Sequence, residues 1–457
     1  MKPRISLAMI TRNEEKNLPE ALRSVQGVVD EVVIVDTGST DGTIRIARAW
    51  GARVLSVPWE EDFARARNAA LPHIRGDWLL WMDADERLVP ESRPFFDLLP
   101  EQADPPIGFR VYLRNWTEDR RSFDLSWAMR LVRLFPGLAF TGRVHEQLSS
   151  ALARHGGVVL DSPVVLDHFG YGLSAEQMRL KLERNYRLLA QQIKEEPHNA
   201  YAHLTMGLNR LSAGDFGAAV RHFRLALRLR QGLDSMLLLA AHNGLARAYL
   251  EQGELEQAYR WARRSLRLEK SQACPYLVLG DIYRRRGQRK RAYAVLQSAL
   301  QYGPERSRAA YDINPHRPAL YETILGLALE LGRYEEARLF LERLWVLKPE
   351  RAIAEWRYRM AVACGAPAQQ VLEAYEALLG FLEREAEADA PLHLLLAEGR
   401  LAEAAGGYEM ALCRFPNAPL LLRRLAGVRV KLGDLRGAHA LLSEGLPVAG
   451  AIKEVRA

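Results

Sequence analysis

The sequence predicts an α/β domain built on a mixed sheet, followed by an all-helical domain. Up to about residue 172, short apolar runs typical of strands alternate with helical segments, and this rhythm implies a parallel sheet covered by helices. From about residue 174 onward, leucine, alanine and arginine recur at helical spacing instead. We therefore expect a first domain at 1–172, a connecting helix at 173–198 and helical repeats at 199–457.

The elements of the first domain are predicted from their periodicity. Apolar and partly β-branched strands are expected at 5–10, 31–36, 54–57 and 78–82. Helices are expected at 18–25, 39–49 and 63–71, with Asn17 and either Ser39 or Thr40 as start signals. Later strands are expected near 108–116, 127–135 and 157–167. No long helices separate these later strands, which favours a mixed sheet with an added lobe.

A repeat in the second part consists of six glycines, each followed by an alanine five residues later. These glycines are Gly214, Gly253, Gly287, Gly332, Gly399 and Gly433, and the alanines are Ala219, Ala258, Ala292, Ala337, Ala404 and Ala438. Glycine can end the first helix of a hairpin in a left-handed conformation, and alanine lets paired helices approach closely. The pattern resembles the tetratricopeptide repeat, whose arrays offer an extended surface for proteins or peptides. An irregular helical bundle is the alternative.

Composition excludes several classes of protein. The 457 residues are 48% hydrophobic and 26% charged, which is typical of a globular protein and not of a disordered one. No uncharged apolar run approaches the ~18–20 residues of a membrane-spanning helix, so we expect no integral membrane segment. The three cysteines are widely spaced and form neither a disulfide framework nor a zinc motif, which fits a cytoplasmic location.

The charge is basic overall, with 63 Lys+Arg against 56 Asp+Glu. A basic run at 284–291 could indicate nucleic acid, but no aromatic residues or nucleic-acid motif accompany it. We interpret it as a solvated helix junction and expect no nucleic-acid partner. The positive excess favours an acidic peptide or an anionic acceptor.

Four polar clusters occupy residues 11–14, 36–43, 62–68 and 83–86. Three of them follow the carboxyl end of a predicted parallel strand, which is the edge where open α/β sheets bind ligands. Asp83 and Asp85 could both reach one hard cation, as magnesium or manganese is usually held by carboxylates and substrate phosphates. Each cluster alone could be a polar turn or a helix cap, so the prediction depends on their coincidence at one edge.

In this order the motifs resemble the family 2 nucleotide-sugar glycosyltransferases of the A-type (GT-A) fold. The matching residues are Asn13-Glu14, the run from Val35 to Gly42, and Asp83-Ala-Asp85. Segments 62–68, 133–135, 140–146 and 168–171 are similar to one subgroup, in which tetratricopeptide-type helices follow the catalytic domain. That subgroup includes S-glycosyltransferases that modify cysteine in sublancin-type peptides. The resemblance implies a Rossmann-like GT-A domain and a hexosyl-type glycosyltransferase.

The resemblance also assigns roles in binding the donor. It implies that Asn13, Glu14 and Asp36 contact the base and ribose of the nucleotide-sugar. It places Arg67 and Asn68 near the diphosphate or the sugar. UDP is the nucleotide of the donor that the family implies.

The resemblance further implies a metal and a catalytic carboxylate. Asp83 would reach ribose or metal and Asp85 the metal, with Mn²⁺ or Mg²⁺ as the ion. His168 matches an additional metal ligand of the family, and His145 is the other candidate for that role. The alternative is that His168 is a histidine hydrogen-bonded in the core. Glu146 occupies the place of the acceptor-side base, and an ion pair with a nearby arginine is its alternative.

The implied function is inverting transfer of a sugar from a nucleotide-sugar donor to a peptide or protein, with a cysteine-containing peptide as one candidate acceptor. A cell-surface or lipid-linked saccharide is an alternative acceptor. A repeat scaffold with a vestigial catalytic domain is an alternative of another class. We expect the helical part to select the acceptor without building the donor site. We also expect its first helix, which follows the candidate cap Ser174, to bury Leu180 and Tyr186.

Overall fold

The computed structural model describes residues 2–116, 120, 123–170, 175–302 and 316–445. The chain divides into two compact units, Met1–Pro315 and His316–Ala457. The first contains an α/β domain and the helices that follow it, and the described part of the second is helical. Gly172, at the predicted boundary, and Ser174 lie outside the described residues.

One eight-stranded sheet forms the centre of the α/β domain, with the strand order β3-β2-β1-β4-β7-β6-β8-β5. The strands are β1 Ile5–Thr11, β2 Glu31–Asp36, β3 Arg53–Ser56, β4 Trp78–Trp81, β5 Glu86–Leu88, β6 Ile107–Trp116, β7 Phe123–Arg133 and β8 Val158–His168. The first four in chain order are parallel, whereas β7 runs antiparallel to β4 and β6 antiparallel to β7. The predicted mixed sheet is therefore confirmed.

The helices of this domain are α1 Leu18–Val25, α2 Thr43–Ala49, α3 Phe63–Asn68 and α4 Ser149–Arg154. Two details of the prediction are wrong. Asn17 does not cap α1, because its Nδ2 donates to Glu14 Oε2 at 2.9 Å instead. The α2 helix begins at Thr43 and not at Ser39 or Thr40, because those two residues belong to a loop tied to the one after β1.

Helices cover both faces of the sheet, and β2 shows why its sequence is almost continuously apolar. Ile34 faces one core, which it shares with residues of α1. Val33 and Val35 face the opposite core, which contains residues of α3 and α4. Because successive side chains of a strand point to opposite faces, a strand buried on both sides needs apolar residues throughout.

The described remainder of the first unit is helical. Its helices are α5 Ala175–Glu195, α6 Ala200–Ser212, α7 Phe216–Leu229, α8 Ser235–Glu251, α9 Leu255–Leu268, α10 Ala273–Arg285 and α11 Arg289–Ala299. The second unit contains α12 Arg317–Glu330, α13 Tyr334–Leu347, α14 Arg351–Ala363, α15 Ala368–Leu379, α16 Glu385–Ala397, α17 Leu401–Arg414, α18 Pro419–Lys431 and α19 Leu435–Gly445. No helix within the described ranges has both the length and the apolar character to cross a bilayer.

The glycine–alanine repeat corresponds to helical hairpins, as predicted. All six glycines have positive φ, between 68° and 84°, and each lies in the turn between two helices. The six alanines are at most 3% exposed. The glycine therefore makes a turn that L-residues resist, and the alanine allows close helix packing.

The α5 and α6 helices pack directly on the α/β domain. Leu188 and Leu189 of α5 and Met206 of α6 form a small core with Val144, which belongs to the segment between β7 and β8. The expectation that α5 buries Leu180 and Tyr186 is wrong, since these side chains are exposed. The helix faces the domain with its carboxyl-terminal half instead.

Two glycines of one hairpin provide a test of the turn geometry. Gly332 has φ of 70° and Gly326 lies inside α12, and a β-carbon at either position would meet no atom within 4 Å. We expect Gly332→Ala to lower the free energy of unfolding by about 1 kcal/mol, because alanine resists the left-handed conformation. We expect Gly326→Ala to raise it by about 0.4–1 kcal/mol. Urea denaturation of the full chain measures both, and equal effects would contradict the explanation.

Candidate active site

A cleft of about 620 Å³ opens where β1 and β4 end, and helix α5 supplies part of its wall. Of the residues predicted for the site, seven line it, namely Glu14, Arg67, Asp83, Asp85, His145, Glu146 and His168. Lys181, Arg184 and Asn185 of α5 also line it. The structure therefore brings most of the predicted residues together and adds a helix that the sequence analysis left out of the donor site.

Asn13 and Asp36 are not among the residues that line the cleft; they fix the loops beside it. The buried Asp36 accepts hydrogen bonds at Oδ2 from the backbone N–H groups of Gly38 and Ser39, both at 3.0 Å. Asn13, with φ of 58°, accepts from Thr40 N at 2.7 Å and donates from its backbone N–H to Ser39 Oγ at 2.9 Å. The two loops that follow β1 and β2 are thereby fixed to each other.

Asn68 has a comparable structural position at the end of α3. Its Nδ2 donates to Phe140 O at 2.9 Å, and its Oδ1 accepts from Phe140 N at 2.8 Å. This paired contact aligns α3 with the segment that carries Glu146. Asn68 therefore influences the cleft through its contact with the backbone of Phe140.

Glu14 is the residue of the first motif that reaches the cleft. Its backbone N–H donates to Thr43 Oγ1 at 2.7 Å, which fixes its position. Burial raises the pKa of the Glu14 carboxyl and the charges of Asp85 and Asp83 raise it further, although the hydrogen bond from Asn17 lowers it. The Glu14 carboxyl therefore lies in the negative field of Asp83 and Asp85.

The floor of the cleft is a buried network of two arginines and three carboxylates. Arg67 donates through Nε to Glu146 and through Nη2 to Asp83 Oδ1 at 2.6 Å. Arg130 of β7 donates through Nη2 to Asp83 Oδ2 at 3.0 Å and also to Glu86. The network has one carboxylate more than it has guanidinium groups.

Burial and charge act in opposite directions on these carboxyls. Burial alone would raise the pKa of Asp83, but Arg130 and Arg67 hold it below its ordinary value. Burial raises the pKa of Glu86 to about 7, with Arg130 opposing the shift. Asp83 is therefore the carboxylate that the arginines hold in its charged form.

Trp81 packs against both guanidinium groups. The ring centroid lies 4.2 Å from the guanidinium carbon of Arg67 and 3.6 Å from that of Arg130. Among the described residues, Nε and Nη1 of Arg130 have no hydrogen-bond partner, so the ring is their main contact. The sequence motifs indicated no role for Arg130 or Glu86. A charged residue within an apolar strand was the signal available for Arg130.

Asp85 and His168 form a second, separate pair. His168 Nε2 lies 3.4 Å from Asp85 Oδ2. His168 Nδ1 lies 2.8 Å from Asn115 Oδ1, and Asn115 Nδ2 donates to Ser126 Oγ at 3.0 Å. This arrangement orients the Asn115 oxygen to accept a proton from Nδ1 and turns Nε2 towards Asp85. Burial lowers the pKa of His168, but the hydrogen bond to Asp85 and the nearby carboxylates raise it above its ordinary value.

The donor set of this pair fits a divalent cation. A β-carbon at Gly170 would lie 1.9 Å from Asp85 Oδ2 and 3.2 Å from His168 Nε2, so a glycine keeps the space beside both atoms open. Within the part of the chain that the structure describes, no three His, Cys, Asp or Glu side chains form a complete metal cage. Asp83 faces the two arginines. Two protein ligands plus phosphate oxygens are a usual arrangement for Mg²⁺ or Mn²⁺.

Glu146 and His145 line the same cleft, in a segment held by α5 and α6. The backbone of His145 has φ of 56°, and its carbonyl oxygen accepts from Tyr201 Oη at 2.9 Å. Arg143 bonds Glu195 of α5 through Nε at 2.9 Å and Nη2 at 2.6 Å. Glu146 is paired with Arg67, which lies on α3 and not in its own segment.

Residues 6–120 match the model of Glycosyl transferase family 2. A TPR repeat-containing protein of Synechococcus elongatus is 29% identical over 72% of this chain and 89% of its own length. The SPbeta prophage-derived glycosyltransferase SunS of Bacillus subtilis is 24% identical over 43% of this chain and 47% of its own length. These matches confirm the predicted family 2 glycosyltransferase domain followed by a tetratricopeptide-type region, and with it the predicted class of enzyme.

A solved structure of glucosyl-3-phosphoglycerate synthase from Mycobacterium tuberculosis, in complex with Mn²⁺, uridine diphosphate and glucosyl-3-phosphoglycerate, is also similar. It is 27% identical with a TM-score of 0.22, over 24% of this chain and 44% of that protein.

The two arginines of α3 allow the buried network to be tested. Arg67→Met leaves the buried carboxylate of Glu146 without its guanidinium partner, and we expect a loss of about 3–5 kcal/mol in the free energy of unfolding. Arg65 is exposed and pairs with Glu60 at 2.5 Å, so Arg65→Met should cost at most about 1 kcal/mol. Chemical denaturation followed by tryptophan fluorescence measures both, and a similar loss in the two variants would contradict the network's role.

Proposed function

We propose that this chain, which carries a family 2 glycosyltransferase domain, is a metal-dependent inverting enzyme that transfers a sugar from a UDP-sugar to a peptide or protein. One observation carries the proposal: a single cleft contains both the Asp85–His168 pair and the Arg67-held Glu146. The first suits a metal that binds a diphosphate. The second suits a base that acts on an acceptor. A glycosyl transfer needs both within reach of one sugar.

We assign binding of the nucleotide-sugar donor to the part of the cleft around Asp85. Asp85 and His168 would hold Mn²⁺ or Mg²⁺, and a bound cation supplies charge neutralisation for the departing diphosphate. Glu14, fixed by the loop contacts of Asn13 and Asp36, contacts the nucleoside. Asp83, held in its charged form by two arginines, faces the ribose or the metal.

The acceptor half is assigned to Glu146. In an inverting transfer the acceptor attacks the anomeric carbon from the face opposite the diphosphate, so a base must lie across the cleft from the metal. Glu146 lines the same cleft as Asp85 and His168, and Arg67 fixes its Oε1, so we assign it to the acceptor face. A hydroxyl acceptor requires the base strongly. A cysteine thiol is more acidic and requires it less.

The acceptor class is assigned from the helices. A tetratricopeptide-type array is an extended binding surface for segments of polypeptide. The α5 and α6 helices adjoin the segment of Glu146 through Val144 and through the Tyr201–His145 hydrogen bond. A polypeptide bound along these helices would therefore have one end of its bound segment close to Glu146.

The metal assignment predicts the behaviour of Asp85→Asn. We expect this variant, like chelation of the wild-type protein, to abolish UDP-sugar hydrolysis, because one of two protein ligands loses its charge. Asp97→Asn is the control, since Asp97 is an exposed partner of Lys2. Hydrolysis is measured with added Mn²⁺ and with added Mg²⁺. Full activity in Asp85→Asn or in the presence of chelator would reject the metal role.

The base assignment predicts a different result for Glu146→Gln. We expect donor binding to persist and transfer to a hydroxyl acceptor to fall about 10²–10⁴-fold, with a smaller fall for a thiol acceptor. Glu60→Gln removes the comparable but exposed carboxylate that pairs with the other arginine of α3, and it should leave transfer unchanged. The test combines donor affinity with transfer rate. Parallel loss of both would show that Glu146 serves donor binding or structure.

A further inference from the structure

We propose that helix α5 completes the donor site, with Lys181 binding the diphosphate of the nucleotide-sugar and Arg184 forming a second cationic position beside it. This inference rests on the proposed function and adds residues that lie outside the family 2 match at 6–120. It makes the first helix of the C-terminal region part of the catalytic machinery.

The position of α5 is fixed by contacts along one of its faces. Leu188 is buried against Val144, and Gln192 Oε1 accepts from Arg143 N at 3.1 Å. Arg184 and Lys181 precede Leu188 by one and two helical turns on the same face, since residues three or four apart are neighbours on a helix. The docking that anchors the second half of α5 thus directs its first half into the cleft.

Lys181 lies in the electrostatic field of the predicted metal ligands. It lines the same cleft as Asp85 and Gly170. Burial and the charge of Arg184 lower the pKa of the Lys181 ammonium, whereas Asp85 and Asp83 act on it in the opposite direction. Lys181 therefore shares the cleft with the carboxylates beside which a metal-bound diphosphate would lie.

Arg184 occupies the next turn, towards α3. Its guanidinium carbon lies 5.3 Å from the ring centroid of Phe63, and its Nε and Nη2 donate to Asn185 Oδ1 at 3.2 and 3.0 Å. These contacts hold the guanidinium over the cleft wall. Two cations on adjacent turns of one face repel each other, and a ligand with two negative charges relieves that repulsion.

The chemistry of the transfer explains why cations are needed here. The acceptor atom forms a bond to the anomeric carbon and gives its proton to Glu146, while the bond from that carbon to the diphosphate oxygen breaks. The electron pair of the broken bond stays on the diphosphate, whose negative charge grows. Lys181 stabilises that charge from the α5 side of the cleft.

Binding of uridine diphosphate and of uridine, both with Mn²⁺, tests the proposal on the full chain by calorimetry. We expect Lys181→Met to weaken uridine diphosphate about 10–100-fold, the range for loss of one charged hydrogen bond, and to leave uridine unchanged. Arg184→Met should weaken it less, and Lys181→Arg should restore most of the affinity. Arg179→Met is the matched control, because Arg179 is an exposed residue of α5 paired with Glu176.

Three outcomes would overturn the proposal. Unchanged affinity of Lys181→Met for uridine diphosphate would show that the lysine does not bind phosphate. Equal losses for uridine and uridine diphosphate would show a structural effect. A wild-type protein that binds no uridine diphosphate would reject the proposed function itself, and the phosphate role with it.

Discussion

The structure of the cleft depends on one buried guanidinium group. Arg67 of α3 reaches Asp83, which follows β4, and Glu146, which lies in the segment between β7 and β8. Three parts of the chain, up to 79 residues apart, therefore meet at one planar side chain. A lysine would offer a single charge at this point and not a fork with two directed donors. The distance between the Asp83 and Glu146 carboxylates is set by the size of that fork.

Much of the α/β domain could be predicted from the sequence, because its strands are buried on both faces and its polar motifs follow strand ends. The sheet edge thus brought Glu14, Asp83 and Asp85 together as expected. The motifs did not distinguish residues that line the cleft from residues that build it. Asn13 bonds to a backbone group of the neighbouring loop and Asp36 to backbone groups of its own loop, and such contacts leave no periodic trace in a sequence.

The remaining features required three-dimensional contacts. Arg130 pairs with Glu86 across two strands that are not neighbours in the sheet, so no local pattern connects them. The amphipathic pattern of α5 indicated a helix but not the surface on which it packs. Its buried residues turned out to be Leu188 and Leu189, because the segment of Val144 covers that half of the helix. The boundary between catalytic and helical parts is therefore less sharp in space than in sequence.

The glycine at position 170 has a consequence for how this enzyme could lose its activity during evolution. Any other residue there would place a β-carbon against the Asp85 carboxylate, and that carboxylate is the movable partner in the collision. If Asp85 binds the metal as proposed, a single codon change at this position would abolish the reaction while the sheet, the buried arginine network and the helical hairpins stay folded. A protein with such a change would keep its helical repeats and lose its turnover.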